Sequence, residues 1–134
     1  MYSVRVEADF AAAHALTHYR GKCERLHGHN YRVRLWAKGH VLGEGGMLVD
    51  FGLLKGALRE VLSELDHGNL NDIPDFSDDP SAERIARYVF DGVERRLAGG
   101  ASSGAVDSGA ARLLSAVDVY ETPTSMARYE PESV

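Results

Sequence analysis

Residues 23–39 read CERLHGHNYRVRLWAKG, and the alternation in their second half decides the fold. Tyr31, Val33, Leu35 and Ala37 share one parity, while Arg32, Arg34, Trp36 and Lys38 share the other. Successive side chains of a strand point to opposite faces, so this stretch reads as a strand with one face against a core. Carried back past Tyr31, the inward row reaches His29 and then His27.

The N-terminal stretch YSVRVEADF, residues 2–10, alternates in the same way. Its inward row is Val4, Val6, Ala8 and Phe10, and extension reaches Ala12 and His14. If these two strands form a hairpin without a bulge, their near ends meet. His14, His27 and His29 then lie together on the inward face, just past the end of the core. Three converging imidazoles suit Zn²⁺ and leave a fourth tetrahedral position open. The competing reading is that some of these rings are hydrogen-bonded core histidines.

After a turn at 43–46, GEGG, and a short extended piece MLVDF, the hydrophobic period changes to that of a helix. Leu54, Ala57, Leu58, Val61, Leu62 and Leu65 recur at helical spacing, with Asp50 as the N-cap. Residues 67–79 form a loop. A second helix follows, with Asp79 as its cap, Pro80 in its first turn, and Ala82, Ile85, Ala86, Val89, Val93 and Leu97 as its stripe. LLSAVDVYE then alternates as a strand, and SMARYEP pairs back with it. The order strand, strand, helix, helix, strand, strand predicts an α+β fold with a four-stranded, mostly antiparallel sheet. The open edges of such a sheet point to an oligomer.

The remaining 98–111 stretch is rich in Gly, Ala and Ser and reads as a flexible surface loop inside a single domain spanning 1–134. A linker is the alternative, but too little chain follows it for a second core. Nothing approaches the ~20 apolar residues of a membrane span, and no signal peptide is legible. The single cysteine excludes an intrachain disulfide, which points to the reducing cytosol. A net charge of −5 gives no basis for nucleic-acid binding. Arg20, Lys22, Arg25, Arg32 and Arg34 nevertheless crowd around the histidines. They are either a solvated strand face or a positive funnel for a phosphorylated substrate.

Cys23 stands four residues before His27. It either completes a closed four-ligand site, acts beside the metal as a thiolate base or nucleophile, or is an inert cysteine. Its charged neighbours Lys22, Glu24 and Arg25 disfavour apolar burial. Asp66-His67 follows the first helix and is either an ordinary loop pair or, with Cys23, a proton-transfer set. Glu121 extends the inward row of Val117 and Val119. It is either a frayed strand end or an acceptor for paired N–H donors of a ligand.

FAAAH at 10–14, CERLHGHNY at 23–31, GMLVDF at 46–51, LDHGNLND at 65–72, PSAERIA at 80–86 and VYET at 119–122 together resemble the 6-pyruvoyl-tetrahydropterin synthase and 6-carboxy-tetrahydropterin synthase family. The resemblance is collinear from about residue 4 to residue 129. It implies the T-fold, a ββααββ subunit whose sheets assemble into a barrel. It also implies hexamers of two stacked trimers, with active sites at subunit interfaces.

The same resemblance implies residue roles. His14, His27 and His29 match the zinc ligands and Cys23 the catalytic thiol. Asp66 and His67 match its proton-relay partners, and Glu121 the catalytic carboxylate that grips the pterin ring and is sometimes counted in the relay. Ser81 stands where many members have Thr, and its hydroxyl keeps the minor contact to the pterin. The implied substrate is the small molecule 7,8-dihydroneopterin triphosphate, and no nicotinamide is required. The whole-sequence likeness favours the carboxy branch, which yields 6-carboxy-5,6,7,8-tetrahydropterin, acetaldehyde and triphosphate for queuosine and other 7-deazapurines. Alternatives are the 6-pyruvoyl product, a folate-branch enzyme using Glu24 to form 6-hydroxymethyl-dihydropterin, and a non-catalytic zinc- or pterin-binding protein.

Overall fold

The first two strands run longer than the alternating cores that announce them. In the computed structural model, which describes residues 1–19, 25–99 and 108–132, β1 spans Tyr2–His14 and β2 spans His27–Gly39. They pair antiparallel from Tyr2↔Gly39 to His14↔His27 with no shift of register. The unbroken pairing carries the parity argument from the core into the histidines. β3, Leu114–Thr122, pairs with β2, and β4, Ser125–Tyr129, pairs with β3, giving the sheet order β1-β2-β3-β4. The register shifts between Trp36 and Ala37 on one side of β3, and between Tyr120 and Thr122 on the other.

Two amphipathic helices cover one face. The first, α1, is Phe51–Ser63, and Asp50 caps it by accepting from the Gly52 amide at 2.8 Å. The second, α2, is Ala82–Leu97, and all six apolar residues of its stripe are buried. Its cap differs from the sequence expectation. Ser81, not Asp79, accepts from the Arg84 amide at 3.2 Å, and Pro80 lies outside the helix. Asp79 is occupied elsewhere, as described below. Gly92 on α2 faces Val61 on α1, where an added Cβ would lie 3.0 Å from a valine methyl. The helices meet closely there because no side chain intervenes.

The core lies between these helices and the inward rows of the sheet, with Tyr31, Val33, Leu35, Val117 and Val119 fully buried. The loop between α1 and α2 contributes too. Two 3₁₀ turns, Leu70–Asp72 and Pro74–Phe76, bury Leu70 and Phe76. MLVDF forms no strand. The stretch expected as one loop at 98–111 is partly helical: α3 covers Ser108–Leu113 and leads directly into β3. Residues 100–107 lie outside the described part. No helix among the described residues is long and apolar enough to cross a membrane.

The opposite face of the sheet is polar and internally paired. Arg32 stands across from Asp9 and Arg34 across from Glu7, and both make the ion pairs that register dictates, at 3.1 and 3.2 Å. Arg34 also donates to the Tyr120 hydroxyl at 3.0 Å. These pairings are those of a strand face, and both arginines also line an opening with Asn30, Asp66 and Thr122. Asp118, only 2% exposed, accepts from the Trp36 indole at 2.8 Å and from Arg128 at 2.7 and 3.0 Å. The guanidiniums of Arg5 and Arg128 lie over the Trp36 ring.

Candidate metal centre and surrounding site

The histidine end of the β1–β2 hairpin holds three imidazoles mutually edge to face. Ring centroids are 4.6 Å apart for His14 and His27, 5.0 Å for His14 and His29, and 4.8 Å for His27 and His29. One ligand atom from each ring lies within 4.8 Å of the others. Beneath them Phe10 and Tyr31, partners across the hairpin, stack at 4.7 Å. Tyr31 meets His14 and His29 edge-on. Burial and the negative charge of Glu121 push its phenol pKa upward.

The outer nitrogens settle the tautomers. Nδ1 of His14 lies 2.8 Å from the Pro80 carbonyl oxygen, and Nδ1 of His27 lies 2.8 Å from the Arg25 carbonyl oxygen. A carbonyl only accepts, so each Nδ1 carries the hydrogen. In neutral rings both Nε2 atoms then present lone pairs, and they face each other at 3.0 Å. Lone pairs so placed repel unless a proton or a cation lies between them. A tetrahedral zinc with Zn–N bonds of ~2.0–2.1 Å sets its ligand nitrogens ~3.3 Å apart, close to what is seen. Carbonyls that hold the outer nitrogens of metal-ligating histidines are the usual orienting shell. The donor set therefore fits a divalent metal held by His14, His27 and His29.

Glu121 comes to the same place from β3. It sits where the β3–β4 register shifts, and its carboxylate lies 3.9 Å from Nε2 of His14, with the side chain 31% exposed. Its inward placement is the one that the parity of Val117 and Val119 predicts. Glu121 and Ser81 line one opening of about 270 Å³, together with Leu16, Ala82 and Met126. The Ser81 hydroxyl oxygen is already the acceptor for the Arg84 amide.

Asp66 and His67 lie at the outer edge of β1. Asp66 accepts from the Ala11 amide at 2.9 Å and pairs with Nδ1 of His67 at 2.9 Å. The His67 amide donates to the Ala11 carbonyl, and the Ala13 amide to the Gly68 carbonyl, so this loop closes part of the β1 edge. The Ala11 amide and then His67 hold the Asp66 carboxyl below its usual range. His67 has a left-handed backbone, φ 60°, and its side chain is 82% exposed. It shares an opening of about 420 Å³ with His29, Gly28 and Asn30. Asp66 and His67 thus form a pair beside the histidines rather than among them. Cys23 and Glu24, like Arg20 and Lys22, lie outside the described residues.

A sequence model described as 6-pyruvoyl tetrahydropterin synthase matches residues 3–132. The chain belongs to the 6-pyruvoyl tetrahydropterin synthase family. Within the synthase family it is 37% identical over 134 residues to 6-carboxy-5,6,7,8-tetrahydropterin synthase of Synechocystis, covering 96% of this chain and 93% of the relative. The Bacillus subtilis protein of the same name is 34% identical, covering 98% and 88%. The solved Caenorhabditis elegans 6-pyruvoyl tetrahydropterin synthase superposes with a TM-score of 0.77 at 27% identity, covering 98% of this chain and 96% of that one.

Sequence reasoning missed the groups that orient the site. The Pro80 and Arg25 carbonyls carry no side-chain signature. Asn71, whose amide clasps both backbone groups of Ala15 at 2.8 Å, stood in a quoted motif without a role.

Proposed function

We propose that the protein is a zinc-dependent 6-carboxy-5,6,7,8-tetrahydropterin synthase. It converts 7,8-dihydroneopterin triphosphate and water to 6-carboxytetrahydropterin, acetaldehyde and triphosphate, for queuosine and related 7-deazapurines. The observation that carries this reading is the pair of Nε2 atoms 3.0 Å apart, each on a ring whose Nδ1 is held by a carbonyl. The closeness to two carboxy-branch synthases over nearly the whole chain supports the choice of branch.

His14, His27 and His29 hold the zinc, which when bound supplies Lewis acidity toward the substrate's side-chain hydroxyls. Cys23, as thiolate, removes a side-chain proton. Asp66 and His67 relay protons to and from it, with the Asp66 carboxylate favouring the charged imidazole. Glu121 accepts paired N–H donors of the pterin, and Ser81 lines the same opening. The exposed sheet edges and the exposure of His67 support a homo-oligomer, a hexamer of two trimers, in which neighbouring subunits complete each site. A cytosolic enzyme of one domain accords with the single cysteine.

Incubation of zinc-loaded protein with dihydroneopterin triphosphate, followed by mass analysis, tests the reading. Acetaldehyde and the carboxy product are expected. A pyruvoyl product, or glycolaldehyde with a hydroxymethyl product, would reassign the branch. Stoichiometric zinc without turnover would make the protein a binding module.

A further inference from the structure

Asp79 is the acidic residue that the sequence places at a helix cap and the fold employs elsewhere. Its carboxylate grips the segment that follows His14. Oδ1 accepts from the His18 amide at 3.0 Å and, more weakly, from the Thr17 hydroxyl at 3.5 Å. Oδ2 pairs with Nδ1 of His18 at 2.7 Å. The Thr17 hydroxyl donates to the Asp78 carbonyl at 2.9 Å, and the Asn71 amide bridges the Ala15 and Asp78 carbonyls at 2.8 and 3.1 Å. From the helix side Arg84 donates to the Phe76 carbonyl at 2.6 Å.

These contacts restrain a turn that two non-glycine residues enter with left-handed backbones, Ser77 at φ 50° and Asp78 at φ 65°. Such conformations persist only where the surroundings over-determine them. Pro80 comes next with its φ fixed by the ring, and the Ser81 amide, which shares a peptide plane with the Pro80 carbonyl, donates to the Asp79 carbonyl at 2.8 Å, so the direction of the Pro80 carbonyl is tied to Asp79. That carbonyl meets Nδ1 of His14, which is 2% exposed.

We propose that Asp79 is a positioning residue for the metal centre: by clasping Thr17 and His18 it aims the Pro80 carbonyl at His14 and so fixes the tautomer that presents Nε2. This rests on the reading of His14, His27 and His29 as metal ligands.

The test compares wild type, Asp79→Ala and Asp79→Asn. Long-range ¹H–¹⁵N spectra of the metal-free proteins report the His14 tautomer, and competition titrations with zinc alone report affinity. Wild-type His14 should be the Nδ1–H form. In Asp79→Ala the tautomers should mix and zinc affinity fall about tenfold, the lower end for loss of an orienting shell. Asp79→Asn keeps one acceptor for the His18 amide and should fall between. If Asp79→Ala does not fold, Asp79→Asn is read in the same way. An unchanged tautomer overturns the proposal, even where zinc affinity drops, because a merely loosened fold would produce that drop. Failure of wild type to take up zinc overturns the metal centre, while the metal-free tautomer comparison still decides the role of Asp79.

Discussion

His14 and His27 face each other across the end of a hairpin with their Nε2 atoms 3.0 Å apart and their Nδ1 atoms each tied to a backbone carbonyl. In the proposed site both rings hold one metal ion. His14→Ala or His27→Ala should therefore abolish stoichiometric metal uptake and turnover together. Metal analysis of the dialysed variants checks this, and a fully active His27→Ala protein would refute the ligand assignment.

Cys23→Ala separates chemistry from coordination. The variant should retain its full metal equivalent while kcat falls by ~10²–10⁴, the usual worth of a positioned proton-transfer group. Loss of zinc in that variant would make the thiol a fourth ligand. Metal content and kcat measured on the same preparation give the answer.

Asp118 is a buried carboxylate satisfied by Trp36 and Arg128 on the face away from the helices. Its removal leaves the indole N–H and a guanidinium without their acceptor. Asp118→Ala should cost about 1–3 kcal/mol in urea unfolding. Asp118→Asn should cost less, since an amide oxygen still accepts from Trp36. Equal losses would show that charge, not satisfaction of donors, dominates there.

Acid should loosen two loops before the core. The carboxyls of Asp66 and Asp79 are both held below their usual range, first by the Ala11 and His18 amides respectively. A lowered folded pKa contributes stability above the unfolded value, near 4, that is lost as pH falls through the folded one. Below pH ~4 the Ala11 and His18 amides should therefore lose exchange protection ahead of the sheet interior. Uniform loss of protection would count against these local clasps.

Alkali acts through tyrosine. The Tyr88 hydroxyl donates to Glu64 at 3.1 Å, and its pKa is pushed up to about 12, first by burial and then by that carboxylate. Tyr31 is also raised, by burial and Glu121. A raised folded pKa contributes stability that is complete below the unfolded value near 10 and is lost as pH climbs through the folded one. In an ultraviolet titration, Tyr31 and Tyr88 should ionise late. Tyr88→Phe should remove one of these late steps, and an unchanged curve would contradict the assignment.

The sequence made the hairpin and its three histidines legible because one unbroken register joins a strongly alternating core to the site. The helical stripes were equally plain, since burial on one face leaves a period of 3.6. The exceptions share a cause in tertiary hydrogen bonding. Asp79 resembles a cap, but Ser81, two residues on, directly precedes the helix and caps it, which frees Asp79 to hold Thr17 and His18. Arg32 and Arg34 leave a solvated strand face and a positive funnel both open in the sequence, and only pairing shows Asp9 and Glu7 opposite them. The start of α3 is small-residue sequence that composition alone marks as loop. The Pro80 carbonyl leaves no trace in residue identity.

The most direct measurement is a cobalt titration of metal-stripped protein, followed by its visible absorption. One equivalent per chain, with the intense d–d bands of a four-coordinate site, is expected for wild type, and both should vanish in His29→Ala. Absence of uptake by wild type, or the same bands and stoichiometry in His29→Ala, would contradict a centre built from these three imidazoles.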